Sequence, residues 1–274
     1  MQALIRPARN GLHWITGGFR LVRRYPAALI AIVSAYWFVV LFISAMPYVG
    51  SMLASLIMPG LMVGVMNACR RAEAGEALRI DLLISAFRGT HAQTRTLLAL
   101  GALYLSLSLA VLYLTTLVDG GALMGLMTGR PVSAEALQSA EFHRAAQLAL
   151  ALMAPILMAW WYAPMLASWN NLSVGKALVF SFIACWRNWR AFTVYGLSAA
   201  ALSLPLLYLA ALAMMSASIG EGSATQILFM FSILILAPVY FASFFFTYHD
   251  VFVDEPPPPS ETSGHPGEHV DTSA

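Results

Sequence analysis

Long runs of uncharged apolar residues alternate along this chain with short segments that hold nearly all of its charge. Six runs, at residues 26–46, 52–68, 96–118, 145–167, 191–215 and 225–248, contain no Asp, Glu, Lys or Arg. A bilayer core about 30 Å thick takes roughly 20 apolar residues per helix, and a charged side chain at a helix centre costs about 2.5 to 3.5 kcal/mol. The pattern therefore predicts an all-α fold, a polytopic transmembrane helical bundle of six spans. The first run also follows Arg residues and ends in Ser44 and Ala45, as a secretory signal does. It is too long for a cleaved signal core of about 7 to 15 residues, so it is read as an uncleaved first span.

The segments between the runs repeat. Phe19, Phe87 and Phe182 each follow a small residue, Gly18, Ala86 and Ser181. Each is trailed by Arg within a few helical turns and precedes a pair of apolar runs. The second run of each pair carries a proline: Pro59, Pro164 and Pro238. The membrane domain, residues 1–252, thus reads as three repeats (11–69, 79–171 and 174–252), each an interfacial helix followed by a helical hairpin. A matching kink suits three prolines in register; the functional reading is that they open the helices over a cavity.

At 100° per residue, His13, Thr16, Arg20, Arg23 and Arg24 fall on one third of a helical wheel. Trp14, Ile15, Phe19, Leu21, Val22 and Tyr25 occupy the rest. Lys176, Ser181, Arg187, Asn188 and Arg190 likewise share a side opposite Leu178, Val179, Phe182, Trp186 and Trp189. Both segments read as helices in the membrane plane, basic toward the headgroups and aromatic toward the acyl chains. Residues 80–95 align Asp81, Ser85, Arg88 and Arg95, but Gly89 and Thr90 interrupt the pattern. Ordinary positive-inside loops are the plainer alternative for all three.

Composition and charge sharpen the picture. Hydrophobic residues make up 59% of the chain and charged ones 10%, against about a quarter charged in soluble domains. Of 15 Lys and Arg, 13 lie before the first run, between the second and third, or between the fourth and fifth. The opposite connections hold only Arg130 and Arg144. Basic loops stay in the cytoplasm, which predicts that both termini are cytoplasmic. The Pro- and Ser-rich acidic tail, residues 253–274, has too little apolar content to fold and reads as disordered.

Three stretches carry a resemblance: SFIACWRNWRAF from Ser181, FASFFFTYHDVF from Phe241, and GLMVGVMNACRR from Gly60. They resemble an uncharacterised family of proteobacterial six-span inner-membrane proteins, with CWRNWR the most specific part. More distantly, the layout is similar to the membrane domains attached to some glycerophosphodiester phosphodiesterases, whose catalytic domain has no counterpart here. The resemblance implies the fold and an inner-membrane location, and it carries no catalytic roles.

Candidate chemistry is sparse. Cys69 and Cys185 stand far apart in sequence and read as small buried hydrophobes. His265 to His269 (HPGEH) matches a zinc-protease pattern, but Pro266 and Gly267 break the helix that would place both His on one face. His249 and Asp250 adjoin the last span and read as a polar cluster at the interface. Asn171-Leu172-Ser173 matches a glycosylation sequon, which has no meaning on a cytoplasmic segment. Gly60 and Gly64 form a GxxxG that allows close helix approach. Gly121 and Gly125 form another beside the third run. Trp160, Trp161 and Tyr162 mark an interface or line a pocket. Asn67, Asn170 and Asn171 are the first choice for a polar site. In the loop after the third run, Ser133 starts a short helix.

The expectation is an inner-membrane protein that is not an enzyme, has no cofactor or metal, and organises the membrane or envelope. Its partners are the bilayer and anionic lipid, with no nucleic acid. Headgroup contact falls to Arg20, Arg23, Arg24, Arg88, Arg95, Lys176, Arg187 and Arg190, and helix packing or kinking to Pro59, Gly60, Gly64, Pro164 and Pro238. The alternative is a small-solute or lipid transporter with a cavity between hairpins.

Overall fold

A computed structural model describes residues 3–47, 49–218 and 223–252 of the 274. Among them the chain is helical, without strands, and six helices are long and apolar enough to cross a membrane. The element order runs short helix, span, span, three times. Helix α1 (Asn10–Arg24) precedes α2 (Pro26–Ser44) and α3 (Gly50–Glu73). A 3₁₀ helix (Ile80–Arg88) precedes α4 (His91–Asp119). After two short helices, α5 (Ala122–Met127) and α6 (Ala134–Gln138), the chain returns through α7 (Ala140–Trp161) and α8 (Ala163–Trp169). Finally α9 (Val174–Arg187) precedes α10 (Trp189–Ser218) and α11 (Ser223–Val251).

Local chemistry sets these boundaries. Pro26 starts α2 where its missing N–H is harmless. Gly89 ends the 3₁₀ helix, and Thr90 opens α4 with a capping box: its hydroxyl accepts from Gln93 N at 3.2 Å, and Gln93 Oε1 accepts from Thr90 N. Gly120, at φ 64°, closes α4 in the left-handed conformation that glycine adopts freely. Ser133 caps α6 as expected, accepting from Ala136 N. α5 has no counterpart in the sequence reading, nor do the prolines inside α7 and α10, Pro155 and Pro205.

Each short helix docks on the second span of the preceding hairpin, and the ring closes on itself. The 3₁₀ helix packs on α3, α9 packs on α7 and α8, and α1 packs on α11 and α10. Lipid tails supply no hydrophobic drive between helices, so close contact relies on small residues and polar links. All three docking sites use them. Gly60 faces the ring of Phe87, and Gly64 lies against the Leu83 backbone. Gly18 meets the α11 backbone at Val239 and Ser243, and Gly17 meets Phe246. The GxxxG of α3 thus serves contacts within the chain.

At the third site a hydroxyl mends a broken helix. Pro164 stands in the first turn of α8, and α7 stops at Trp161. Ser181 of α9 accepts from Tyr162 N at 2.9 Å and donates to Met158 O at 2.8 Å, bridging the two groups that an unbroken helix would join directly. Ser181 is therefore fully buried, not part of a polar headgroup face. The same correction applies to Asn188, and to Trp14, whose ring is buried against Phe192 and Tyr195 instead of facing lipid.

The tight core, with Trp14, Met66, Leu97, Tyr162, Met165 and Phe245 fully buried, occupies the end of the bundle that bears the short helices. Toward the other end the hairpins turn apolar side chains outward, Leu117, Leu150, Leu207 and Met214 among them. Replacing Gly18 by Leu should cost about 2 kcal/mol through overpacking and lower the thermal midpoint in detergent. Gly196→Leu, where nothing lies near the added carbon, should leave it within error.

Candidate functional site

The end of the bundle with the short helices is built around Asp250, the penultimate residue of α11. Its carboxylate pairs with Arg6 Nε at 2.9 Å and accepts from Asn10 Nδ2 at 2.7 Å and Trp14 Nε1 at 2.8 Å. The Arg6 guanidinium also donates to the Asp250 carbonyl. Asn188, between α9 and α10, accepts from Arg6 N at 2.7 Å and donates to Leu4 O at 2.9 Å, while Leu4 N donates to Val251 O. The two ends of the membrane domain are thus strapped together. Of the two residues expected to form a polar cluster beside the last span, Asp250 is in this strap, while His249 lies against the ring of Phe245.

Next to it lies a layer of side-chain amides. Asn67 donates to Ser85 and accepts from Trp169 Nε1, both at 2.8 Å. Asn170 accepts from Tyr248 at 2.8 Å, and the Trp169 and Tyr248 rings meet edge to face. Asn171, at φ 52°, accepts from Gln93. Asn67 and Asn170 therefore tie the ends of α3, α8 and α11 together, and both amide atoms of Asn67 are spent on neighbours in the protein.

All eight headgroup candidates are exposed. The ion pairs among the described residues are Arg6–Asp250, Arg71–Glu76, Arg79–Asp81 and Arg88–Asp81. Arg88 thus shares a carboxylate with Arg79, which offsets its charge. Partial desolvation pushes the Asp81 carboxyl up, but the hydrogen bond from Arg88 and the charges of Arg79 and Arg88 outweigh it and hold the group below its ordinary range. Arg20, Arg23, Arg24, Arg95, Lys176, Arg187 and Arg190 have no described carboxylate partner. Arg24 and Arg190 lie over the rings of Tyr25 and Trp189. Phe180 and Trp186 on α9 and Trp189 at the start of α10 are also exposed, so aromatic and basic side chains stand together there.

Arg20 and Arg23 flank a groove of ≈ 640 Å³ between α1, α2 and α11. Its floor is Phe19, Val22, Pro26, Ile30, Ile235 and Val239, with Thr16 beside the arginines. Two cations thus stand over an apolar channel. Sequence reasoning found the arginines by their place on the wheel. It missed the groove, whose far wall is more than 200 residues away.

A second cavity, of ≈ 440 Å³, lies between the three hairpins. Pro59 and Pro164 line it, along with Tyr36, Tyr104, Trp160, Trp161, Tyr195 and Phe241. Two of the three span prolines thus face a common space, and Trp160 and Trp161 belong to its wall, while Tyr162 is sealed in the core. Pro238 stands inside α11, just before the Val239 that meets Gly18. Cys69 and Cys185 are buried free thiols. Gly121 caps α5 at φ 95°, and Gly125 sits against Val132. The HPGEH segment and the rest of the tail lie outside the described residues.

The chain is 36% identical over 264 residues to a probable inner membrane protein of Burkholderia thailandensis, a match that spans 94% of this chain and 97% of that one. No protein-family model matches the sequence, and no solved structure does. Asp250→Ala should release the strap and leave Arg6 and Trp14 unpaired. A loss of about 2 kcal/mol is expected, below the roughly 3 to 5 of a fully buried pair because both partners are about a quarter exposed. Urea unfolding in micelles checks it, with Asp250→Asn expected to fall between the two.

Proposed function

The chain belongs to the family of this probable inner membrane protein, and from that premise we propose that it organises the inner membrane without catalysing a reaction, by holding anionic phospholipid at its basic end. The observation that carries this reading is the groove between α1, α2 and α11. Arg20 and Arg23 stand there without a described carboxylate partner, over a floor of apolar side chains. A cation kept free of internal partners and placed beside an acyl-wide channel is available to a phosphate. Each Lys or Arg near an anionic leaflet contributes about 1 kcal/mol, and the exposed Arg95, Lys176, Arg187 and Arg190 add to the same field.

The excess of basic residues at this end also supports a cytoplasmic placement of both termini. The short helices then lie at the inner headgroup layer, with Phe180 and Trp186 of α9 and Trp189 of α10 at the depth where aromatic side chains prefer to sit. Reporter fusions at residue 3 and after residue 252 should both give cytoplasmic signals. A periplasmic signal from either would reverse the orientation.

Native mass spectrometry of protein released from mixed phosphatidylglycerol and phosphatidylethanolamine nanodiscs tests the lipid reading. The wild type should retain phosphatidylglycerol preferentially. The double variant Arg20→Gln, Arg23→Gln should lose that preference by about thirty-fold, the loss corresponding to roughly 2 kcal/mol. An unchanged preference in the variant overturns the assignment.

A further inference from the structure

We propose that the central cavity is a binding site for a neutral, ring-bearing membrane lipid of the isoprenoid quinone class, separate from the phospholipid groove and independent of it. The cavity lies among membrane-spanning helices, and its lining includes no formally charged residue. A charged ligand there would be desolvated without a counter-ion, which is costly at that depth. Its occupant is therefore neutral. Its volume, ≈ 440 Å³, falls within the roughly 300 to 1,000 Å³ of small-molecule sites, which are lined by aromatic and apolar side chains with a few polar groups.

The polar inventory narrows the choice. Trp160 donates to Leu100 O, Tyr195 pairs with Ser243, Tyr240 pairs with Ser203, and Ser55 donates to Ser51 O. Three lining donors differ. Trp161 Nε1 is buried without a hydrogen-bond partner among the described residues, and the hydroxyls of Tyr36, a residue only 4% exposed, and Tyr104 have none there either. A buried donor without an acceptor is destabilising, and a carbonyl on a ligand in the cavity would satisfy the indole N–H or a hydroxyl beside it. Tyr36 also packs edge to face on Phe241, and Tyr104 packs on Trp160, so the walls offer ring faces and edges of the kind that stack on a flat conjugated head. A quinone head has both features, a planar ring and a carbonyl acceptor, and a saturated acyl chain has neither.

There is also a route in. Within the membrane α10 packs on α1, α11 and α9, whereas α7 packs on α4, α8 and α9, which leaves a seam between α7 and α10. Leu157 of α7 lines the cavity and is 46% exposed, so the space reaches the lipid-facing surface there. An isoprenoid tail leaves along this seam while the head stays against Tyr36.

The test uses the full chain in nanodiscs titrated with decylubiquinone, reading tryptophan fluorescence, since Trp160 and Trp161 stand in the wall. Quenching should saturate. Tyr36→Phe, which keeps the ring and removes only the hydroxyl, should weaken it about five-fold, as expected for one hydrogen bond, and Ser55→Phe, which fills the space, should abolish the saturable part. The Arg20→Gln, Arg23→Gln variant should quench like the wild type, which separates this site from the phospholipid groove. Quenching that rises without saturation, is indifferent to both cavity substitutions, or is displaced by phosphatidylglycerol overturns the proposal.

Discussion

The close docking of each short helix on the second span of the preceding hairpin is the constraint on which the rest of this bundle depends. Helices in lipid gain little from hiding apolar surface from one another, so they associate where backbones approach closely or polar groups meet. Gly64 against the Leu83 backbone and Gly18 against Val239 and Ser243 supply the close approach. Ser181, bridging Tyr162 and Met158, supplies the polar link. Because the docked element always belongs to the next hairpin, three separate hairpins become a closed ring. Packing is therefore dense at one end, and a cavity lies between the hairpins.

The polar groups at the dense end follow from the same geometry. Where three second spans converge, their terminal amides and indoles face one another, and Asn67, Trp169, Asn170 and Tyr248 satisfy each other. Asp250 gathers Arg6, Asn10 and Trp14 where the ring closes. With these donors and acceptors spent internally, the cations left over, Arg20 and Arg23 among them, are those without a described carboxylate partner.

The spans were legible in the sequence because a bilayer imposes a length and excludes charge. Each predicted run lies within, or a residue or two beyond, an observed span; only the fourth is split, at Pro164. The amphipathic short helices were legible too, but not their partners. The wheel placed Ser181 and Asn188 with the basic residues because both are polar, whereas each is buried against a neighbouring element that periodicity cannot name. Trp14 was read as lipid-facing for the corresponding reason. Asp250 was read with His249 as a polar cluster at the interface, since the residues that hold it are 236 to 244 positions away. Properties set by one segment against the bilayer were visible, and those set by two distant segments were not.

Ring closure has a consequence for biogenesis. The ribosome delivers α1 first, but its docking surface on α10 and α11 is the last part of the domain to be synthesised, and domains assemble from the N-terminus as the chain emerges. Throughout translation of the first two hairpins, the face of α1 that carries Trp14, Ile15, Leu21 and Val22 lacks the α10 and α11 surface on which it chiefly packs. An amphipathic helix in that position rests in the headgroup layer and waits there. The arginines on its other face, which flank the groove between α1, α2 and α11 in the finished protein, would favour the anionic membrane surface until the final hairpin inserts and draws the helix in.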